Sequence, residues 1–135
     1  MKEITVEALI NNIPVVTGFV DEQLEQLGTG LKQQMAIDVA IDELFTNIAS
    51  YAYPGSSGQA TIRFEFDPAD RMASITLVDS GVPFDPLQKP DPDTSLPAEE
   101  REIGGLGIFL VKKTMDDVIY RREEGRNLLT IRKKI

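Results

Sequence analysis

Two polar side chains four residues apart, Glu43 and Asn47, are the first pair in the sequence that could do chemistry. They fall in a predicted helix, where residues at this spacing project from one face. A carboxylate and an amide oxygen side by side can hold a hard cation together with a water or a hydroxyl, and the carboxylate can accept a proton. A solvated helix face produces the same pattern more often, so the pair by itself leaves both interpretations open.

A second candidate, Asp79, ends a predicted strand in which it shares one face with Ile75 and Leu77. A carboxylate on an apolar face is costly unless it accepts good hydrogen bonds. A ligand that offers N–H groups, such as the exocyclic amine of adenine, would supply them, and Gly81 would let the backbone pass close to that ring. The alternative is an aspartate that caps a turn at the end of the strand.

A third candidate is the run Gly104, Gly105, Leu106 and Gly107, which opens the last predicted helix. Glycines allow tight backbone turns, and the free N–H groups at a helix N-terminus favour anions, of which polyphosphate is the natural guest. A plain turn before a helix is the alternative. The dinucleotide-binding fingerprint is a poor match, because it needs a strand directly before the glycines and a proline-rich loop stands there instead.

The composition narrows the chemistry further. The 135 residues include no His and no Cys, which excludes Ser-His and Cys-His nucleophile pairs, disulfides and thiolate metal sites. Acid–base work must therefore fall to Asp, Glu, Lys or Tyr. The net charge of −8 disfavours direct nucleic-acid binding. The opening MKEITVEALI has no apolar run long enough for a signal peptide or a membrane span, so we expect a cytoplasmic protein without membrane contact.

The elements that must position these residues follow the order strand, helix, helix, strand, strand, loop, helix, strand, strand. The length favours a single domain over residues 1–135. The alternation of apolar and polar residues in the strands predicts a two-layer α/β (α+β) sandwich with helices on one face of the sheet. The long second helix is predicted over about residues 31–51, and its apolar face is predicted to include Leu31, Met35, Val39 and Leu44.

The order of the three candidates is more specific than any one of them. A helix with Glu-x-x-x-Asn, a strand ending in Asp-x-Gly, a long loop and then Gly-x-Gly opening a helix resemble the Bergerat ATP-binding fold, the histidine-kinase-like ATPase domain. The segments AIDELFTNIASYAYP, DSGVPFDP and GGLGIFLVKKTMDDVIY look like the motif blocks of the anti-sigma-factor serine/threonine protein kinases of bacteria. This resemblance covers nearly the whole chain, and it implies a mixed, mostly antiparallel sheet.

The resemblance also implies a role for each candidate residue. Glu43 would be the general base, and Asn47 would bind a Mg²⁺ ion that bridges the phosphates of ATP. Asp79, with Gly81 beside it, would accept a hydrogen bond from the adenine amine, and Asn127 would lie near the same ring. The phosphates would be wrapped by the glycine segment, which comprises Gly104, Gly105, Leu106 and Gly107. The loop at about residues 87–103 would be the ATP lid.

The activity implied is transfer of the γ-phosphoryl group of ATP to a Ser or Thr of an anti-sigma antagonist protein. The same protein would hold a sigma factor inactive and would pair as a homodimer through its sheet. Two departures bear on turnover: Pro83 stands where many members of the wider superfamily have a glycine, and Ile103 where some anti-sigma kinases keep a basic residue. Two alternatives therefore stay open, a non-catalytic ATP-binding partner-switch module that sequesters a sigma factor or another regulator, and a structural domain without ligand.

Overall fold

The computed structural model describes residues 1–88 and 105–135, and in these ranges the elements follow the predicted order. Two short 3₁₀ turns, Ile10–Asn12 and Pro86–Gln88, accompany them. The longer elements are β1 Lys2–Glu7, α1 Ile13–Gln26, α2 Leu31–Tyr51, β2 Gln59–Asp67, β3 Met72–Asp79, α3 Gly105–Thr114, β4 Asp117–Glu123 and β5 Arg126–Lys134.

The strands form one five-stranded sheet in the order β1-β2-β3-β5-β4. Every pairing among the described strands is antiparallel, so the expectation of a mixed sheet is wrong on this point. Short hairpins join β2 to β3 and β4 to β5, and a hairpin makes its strands antiparallel. The second hairpin turns at Glu124 and Gly125, which both have a positive φ, as in the type I′ turn that suits a two-residue loop.

The core lies between one face of the sheet and the helices. Apolar side chains from alternate strand positions meet one apolar stripe from each helix, as period-2 and 3.6-residue patterns require. Burying a side chain of this size stabilises the fold by roughly 1.5–3 kcal/mol. Those that are at most 2% exposed include Val16, Val20, Leu24, Ile37, Ile41, Phe45, Ile62, Ile75, Leu77, Val111 and Ile131.

The prediction of which face of α2 meets the core is wrong for three of its four residues. Leu31, Met35 and Val39 are 72%, 58% and 58% exposed, whereas Leu44 is 2% exposed. Helix α2 carries two apolar stripes, and the core takes the wider one, whose residues recur at i, i+3, i+4 and i+7. That stripe consists of Ile37, Ala40, Ile41, Leu44, Phe45 and Ile48.

The ends of α1 set the direction in which α2 begins. Gly28 has a φ of 70°, and the N–H of Thr29 donates to the carbonyl of Leu24 at 3.1 Å, which is a glycine C-terminal cap. Asn12 stands at the N-cap of α1, but its side chain does not cap the helix. Its Nδ2 instead donates to the carbonyl of Glu7 at 2.9 Å, which ties the start of α1 to the end of β1.

Candidate functional site

Glu43 and Asn47 lie on the outward side of α2, one helical turn apart, as the spacing predicts. Both are half-buried: Glu43 lies against Gly107 of α3, and Asn47 lines the cavity that Asp79 also lines. The structure therefore places the pair at the junction of α2 and α3 and not on a fully solvated helix face.

The carboxyl group of Glu43 lies directly against the backbone of Gly107 in the first half of α3. A Cβ at Gly107 would overlap the Glu43 carboxyl carbon and both of its oxygens. The predicted general base and the glycine segment, which are 64 residues apart in the chain, are therefore in contact. Gly107 makes room for the Glu43 carboxyl, and its predicted part in phosphate binding stays a prediction.

Burial raises the pKa of Glu43 above its ordinary value, and the neighbouring Asp42 carboxylate raises that pKa further. A carboxylate with a raised pKa takes up a proton more readily, which suits a general base. The Glu43 side chain opens onto a cleft of about 220 Å³. The residues that line this cleft are Val39, Asp42, Glu43, Thr46, Gly107 and Leu110.

Asp79 is 6% exposed, and its Oδ1 accepts two hydrogen bonds at 2.9 Å. One donor is the N–H of Gly81, so this aspartate does cap the turn that follows β3, which was the alternative interpretation. The other donor is the Nδ2 of Asn127, the residue directly opposite Asp79 in the pairing of β3 with β5. Both bonds end on the same oxygen, and Asp79 also lines a cavity.

Asn127 makes several hydrogen bonds besides the one to Asp79. Its Nδ2 also donates to the carbonyl of Val82 at 2.8 Å. Its Oδ1 accepts the hydroxyl of Tyr120 at 2.5 Å and the N–H of Phe84 at 3.4 Å. The amide is 5% exposed, so these bonds meet the need of a buried polar group for partners.

Tyr120 is the residue that sequence reasoning missed. It lies on β4, and its contact with Asn127 depends on β4 being the edge strand next to β5. The only signal in the sequence is a tyrosine on the inward face of a strand, where its hydroxyl needs a partner.

Gly81 allows a close approach of two backbone segments of the protein. A Cβ there would overlap the carbonyl of Ala52 at the end of α2, and the N–H of Val82 donates to that carbonyl at 2.9 Å. The glycine thus lets the segment after β3 pack on α2. Its predicted place beside a purine ring stays a prediction.

The cavity beside Asp79 is mostly apolar and enclosed. It measures about 30 Å³, which is room for roughly two waters. This volume is smaller than a purine ring, and Phe84 and Pro86 form part of the cavity wall. Phe84 is 40% exposed, and its ring centre lies 5.9 Å from that of Tyr51. The cavity walls come from Leu44, Asn47, Ile48, Ala52, Leu77, Asp79, Phe84, Pro86, Tyr120, Asn127 and Leu129.

Comparison with known proteins agrees with this geometry. The histidine kinase-like ATPase domain matches residues 6–133. The chain belongs to this family. The Bergerat fold expected from the motif order is therefore confirmed, with five strands and three helices arranged as an α/β sandwich.

Curated relatives of this ATPase-family chain are named as protein kinases. It is 37% identical over 95 residues to the serine-protein kinase RsbW of Bacillus cereus (strain ATCC 10987 / NRS 248), covering 67% of the chain and 58% of the relative. It is 33% identical over 117 residues to RsbW of Bacillus cereus (strain AH187), covering 84% and 66%. It is 29% identical over 99 residues to the serine/threonine-protein kinase BtrW of Bordetella bronchiseptica, covering 73% and 68%. The chain thus spans 58% and 66% of the two RsbW relatives' lengths.

Part of the predicted phosphate site lies outside the described residues. Gly104, Ile103 and all of the predicted lid beyond Gln88 fall in the range 89–104. Gly105 is the first residue of α3, and Leu106 and Gly107 follow in its first turn, so glycine does open this helix as predicted.

The donor chemistry around Asn47 suits Mg²⁺ held mainly by a nucleotide. Within residues 1–88 and 105–135, no three acidic side chains converge to hold a metal ion. Mg²⁺ in nucleotide sites needs no such cluster, because one or two protein oxygens combine with phosphates and waters. In the same described ranges, no helix has the length and apolar character that crossing a membrane requires.

Proposed function

We propose that this member of the ATPase family binds ATP with Mg²⁺ and transfers the γ-phosphoryl group to a Ser or Thr of an anti-sigma antagonist protein. The observation that carries the proposal is the contact between the Glu43 carboxyl and Gly107, one turn from Asn47. This contact supports the proposal because it groups Glu43, Asn47 and the start of α3, which would serve as base, metal ligand and phosphate site, near a cavity lined by the buried Asp79. The relatives RsbW and BtrW, named as a serine-protein kinase and a serine/threonine-protein kinase, support a kinase.

At the adenine end, the Asp79 carboxylate would accept the exocyclic amine of adenine through Oδ2. Its other oxygen is occupied by Gly81 and Asn127, which would keep the carboxylate from turning. Guanine carries a carbonyl where adenine carries the amine, and two acceptors facing each other in a buried site cost binding energy. The pocket should therefore prefer ATP to GTP.

At the phosphate end, the Asn47 side-chain oxygen would be a ligand of the Mg²⁺ ion. The N–H groups at the start of α3, including those of Gly105 and Gly107, would bind phosphate oxygens, and Gly104 would complete the segment. When bound, Mg²⁺ would neutralise charge on the phosphates. Positioning and charge neutralisation are the main requirements of phosphoryl transfer.

Glu43 would accept the proton of the acceptor hydroxyl. The hydroxyl oxygen bonds to the γ-phosphorus while the bond from that phosphorus to the bridging oxygen breaks, and ADP leaves. The raised pKa of Glu43 suits this proton transfer, because the carboxylate is a stronger base than an exposed glutamate.

The partners would be an antagonist protein, a sigma factor and a second copy of the chain, in the cytoplasm. For the homodimer we propose the open face of the sheet, away from the helices. Two cross-strand threonine pairs lie there, Thr5 with Thr61 and Thr76 with Thr130, each joined by a 2.8 Å hydrogen bond. Hydroxyls that satisfy each other this way leave a surface that costs little to cover.

The test combines nucleotide binding with transfer. ATP with Mg²⁺ should raise the melting temperature, and ³²P from [γ-³²P]ATP should appear on an antagonist protein co-purified from the native host. A melting shift without transfer would favour the non-catalytic partner-switch module. The absence of any shift at saturating ATP would leave a structural domain and overturn the proposal.

A further inference from the structure

The outward side of α2 carries an apolar ridge that leads into the catalytic cleft. We define the apolar ridge as Leu31, Met35, Val39 and, from α3, Leu110, which are 72%, 58%, 58% and 44% exposed. The three α2 residues are spaced by four, and the next two positions in that series are Glu43 and Asn47. Single exposed apolar residues are ordinary on a protein surface, whereas a continuous row of large ones marks a binding surface.

The ridge is continuous with the site. Val39 and Leu110 line the same cleft as Glu43 and Gly107. At a rise of 1.5 Å per residue, Val39, Met35 and Leu31 lie about 6, 12 and 18 Å from Glu43 along the helix axis. A standard interface covers about 800 Å² on each partner, a disc with a radius of about 16 Å. A disc centred on Glu43 would therefore cover Val39 and Met35, and Leu31 would lie just beyond its edge. An interface that is shifted toward the N-terminus of α2 would cover all three residues.

The direction of approach follows from the other end of α2. Beyond Glu43, the same helix leads to Asn47, and Asn47 lines the cavity assigned to the adenine end of ATP. The nucleotide takes that side, which leaves the N-terminal half of α2 for the acceptor. Asp42 and Glu43 bring negative charge to the cleft, which disfavours acidic residues beside the acceptor hydroxyl.

We infer that the apolar ridge is the docking surface for the phosphoacceptor protein, which presents apolar side chains beside its Ser or Thr. This inference rests on the proposed function. It assigns the specificity for the protein substrate to α2 and α3, apart from the residues that bind the nucleotide.

The test replaces two ridge residues by polar ones of similar length in the variant L31Q/M35Q. Glutamine forms helices about as well as leucine and methionine, so α2 should keep its structure. The probe is the host protein that the wild type labels from [γ-³²P]ATP, purified in its unphosphorylated form. The KM for this protein should rise at least tenfold, while kcat and the affinity for a fluorescent ATP analogue should stay within twofold.

The matched control is I10Q/V15Q, which changes two other exposed apolar residues, 57% and 52% exposed, that do not line the cleft. Its KM should equal that of the wild type. An unchanged KM in L31Q/M35Q overturns the inference while the proposed function stands. A loss of dimer mass in L31Q/M35Q with an unchanged KM also overturns it, since a second copy would then cover the ridge. A wild type that binds ATP but labels no protein overturns the kinase proposal and this inference with it.

Discussion

The proposed adenine end and the proposed phosphate end of the site are held in different ways. At the adenine end, Asp79 and Asn127 are almost fully buried, and a network of hydrogen bonds fixes both side chains. At the phosphate end, Glu43 is positioned by its fit against Gly107 and stays half-exposed in an open cleft. A buried network suits recognition, whereas an open, well-placed carboxylate suits reaction with a group that arrives from outside. Changes at the two ends should therefore separate binding from turnover.

The largest expected effect is on turnover. Glu43→Gln keeps the shape of the side chain but removes the base, so kcat should fall by about 10²–10⁴-fold. ATP affinity, measured by isothermal titration, should stay within about threefold, because the group lost acts on the acceptor. In the wild type, kcat should fall as pH decreases through the pKa of Glu43, and this fall should begin at a higher pH than for an exposed glutamate. A variant with normal kcat would remove Glu43 from the mechanism.

Next in size is Asp79→Asn, at the other end. Its Oδ1 would still accept the bonds from Gly81 and Asn127, so the fold should persist. The group that faces adenine would become a donor opposite a donor, and ATP affinity should fall about 100-fold, roughly 2.7 kcal/mol. Titration with ATP measures this loss, and the melting temperature without nucleotide is the control. Unchanged affinity would show that adenine binds elsewhere.

A smaller effect is expected for Gly107→Ala. Gly107 is the residue of α3 that contacts Glu43 of α2. The added methyl would overlap the Glu43 carboxyl and displace it, so kcat should fall by about 10- to 100-fold, as small misplacements of catalytic groups do. Gly18→Ala in α1 is the matched control, because a Cβ there meets nothing within 4 Å. That control should keep full activity and gain about 0.5–1 kcal/mol of stability. Equal kcat in the two variants would contradict the steric argument.

The smallest expected effect is on stability alone, and it concerns the contact between α1 and α2. Asp38 on α2 faces Asp21 and Glu25 of α1, and burial with these carboxylates raises its pKa to about 7. One oxygen each of Asp21 and Asp38 is buried without a hydrogen-bond partner. The raised pKa means that the Asp38 carboxyl binds a proton more tightly in the folded state than in the unfolded state. The free energy of unfolding should therefore fall as pH rises from about 4 to about 7.

Asp38→Asn removes this titration, so it should stabilise the protein by about 1–2 kcal/mol at pH 8 and by about half as much at pH 5.5, which is midway between the unfolded and folded pKa values. Urea denaturation at the two pH values measures the difference. ATP affinity should not change, because Asp38 lines neither the cleft nor the cavity. An equal effect at both pH values would contradict the raised pKa of Asp38.

Much of the architecture was predictable from local patterns. The bounds of α2 agree to the residue, and β3 ends at Asp79 as expected, since glycine and proline punctuate both. Glu43 and Asn47 share a side of α2 because four residues make nearly one helical turn. The hydrogen-bonded state of Asp79 was predictable too, because a buried carboxylate demands partners.

The sequence by itself determined the elements, the spacing of Glu43 and Asn47 and the place of the glycines, because these follow from contacts within a few residues. Only the tertiary structure decided which apolar stripe of α2 is buried, that Gly107 makes room for Glu43, and that Tyr120 supports Asn127. The first two depend on residues brought together from distant parts of the chain, and the third depends on the pairing of β4 with β5. Helical periodicity states that a stripe exists, but only the packing of α2 against the sheet selects the one that is covered.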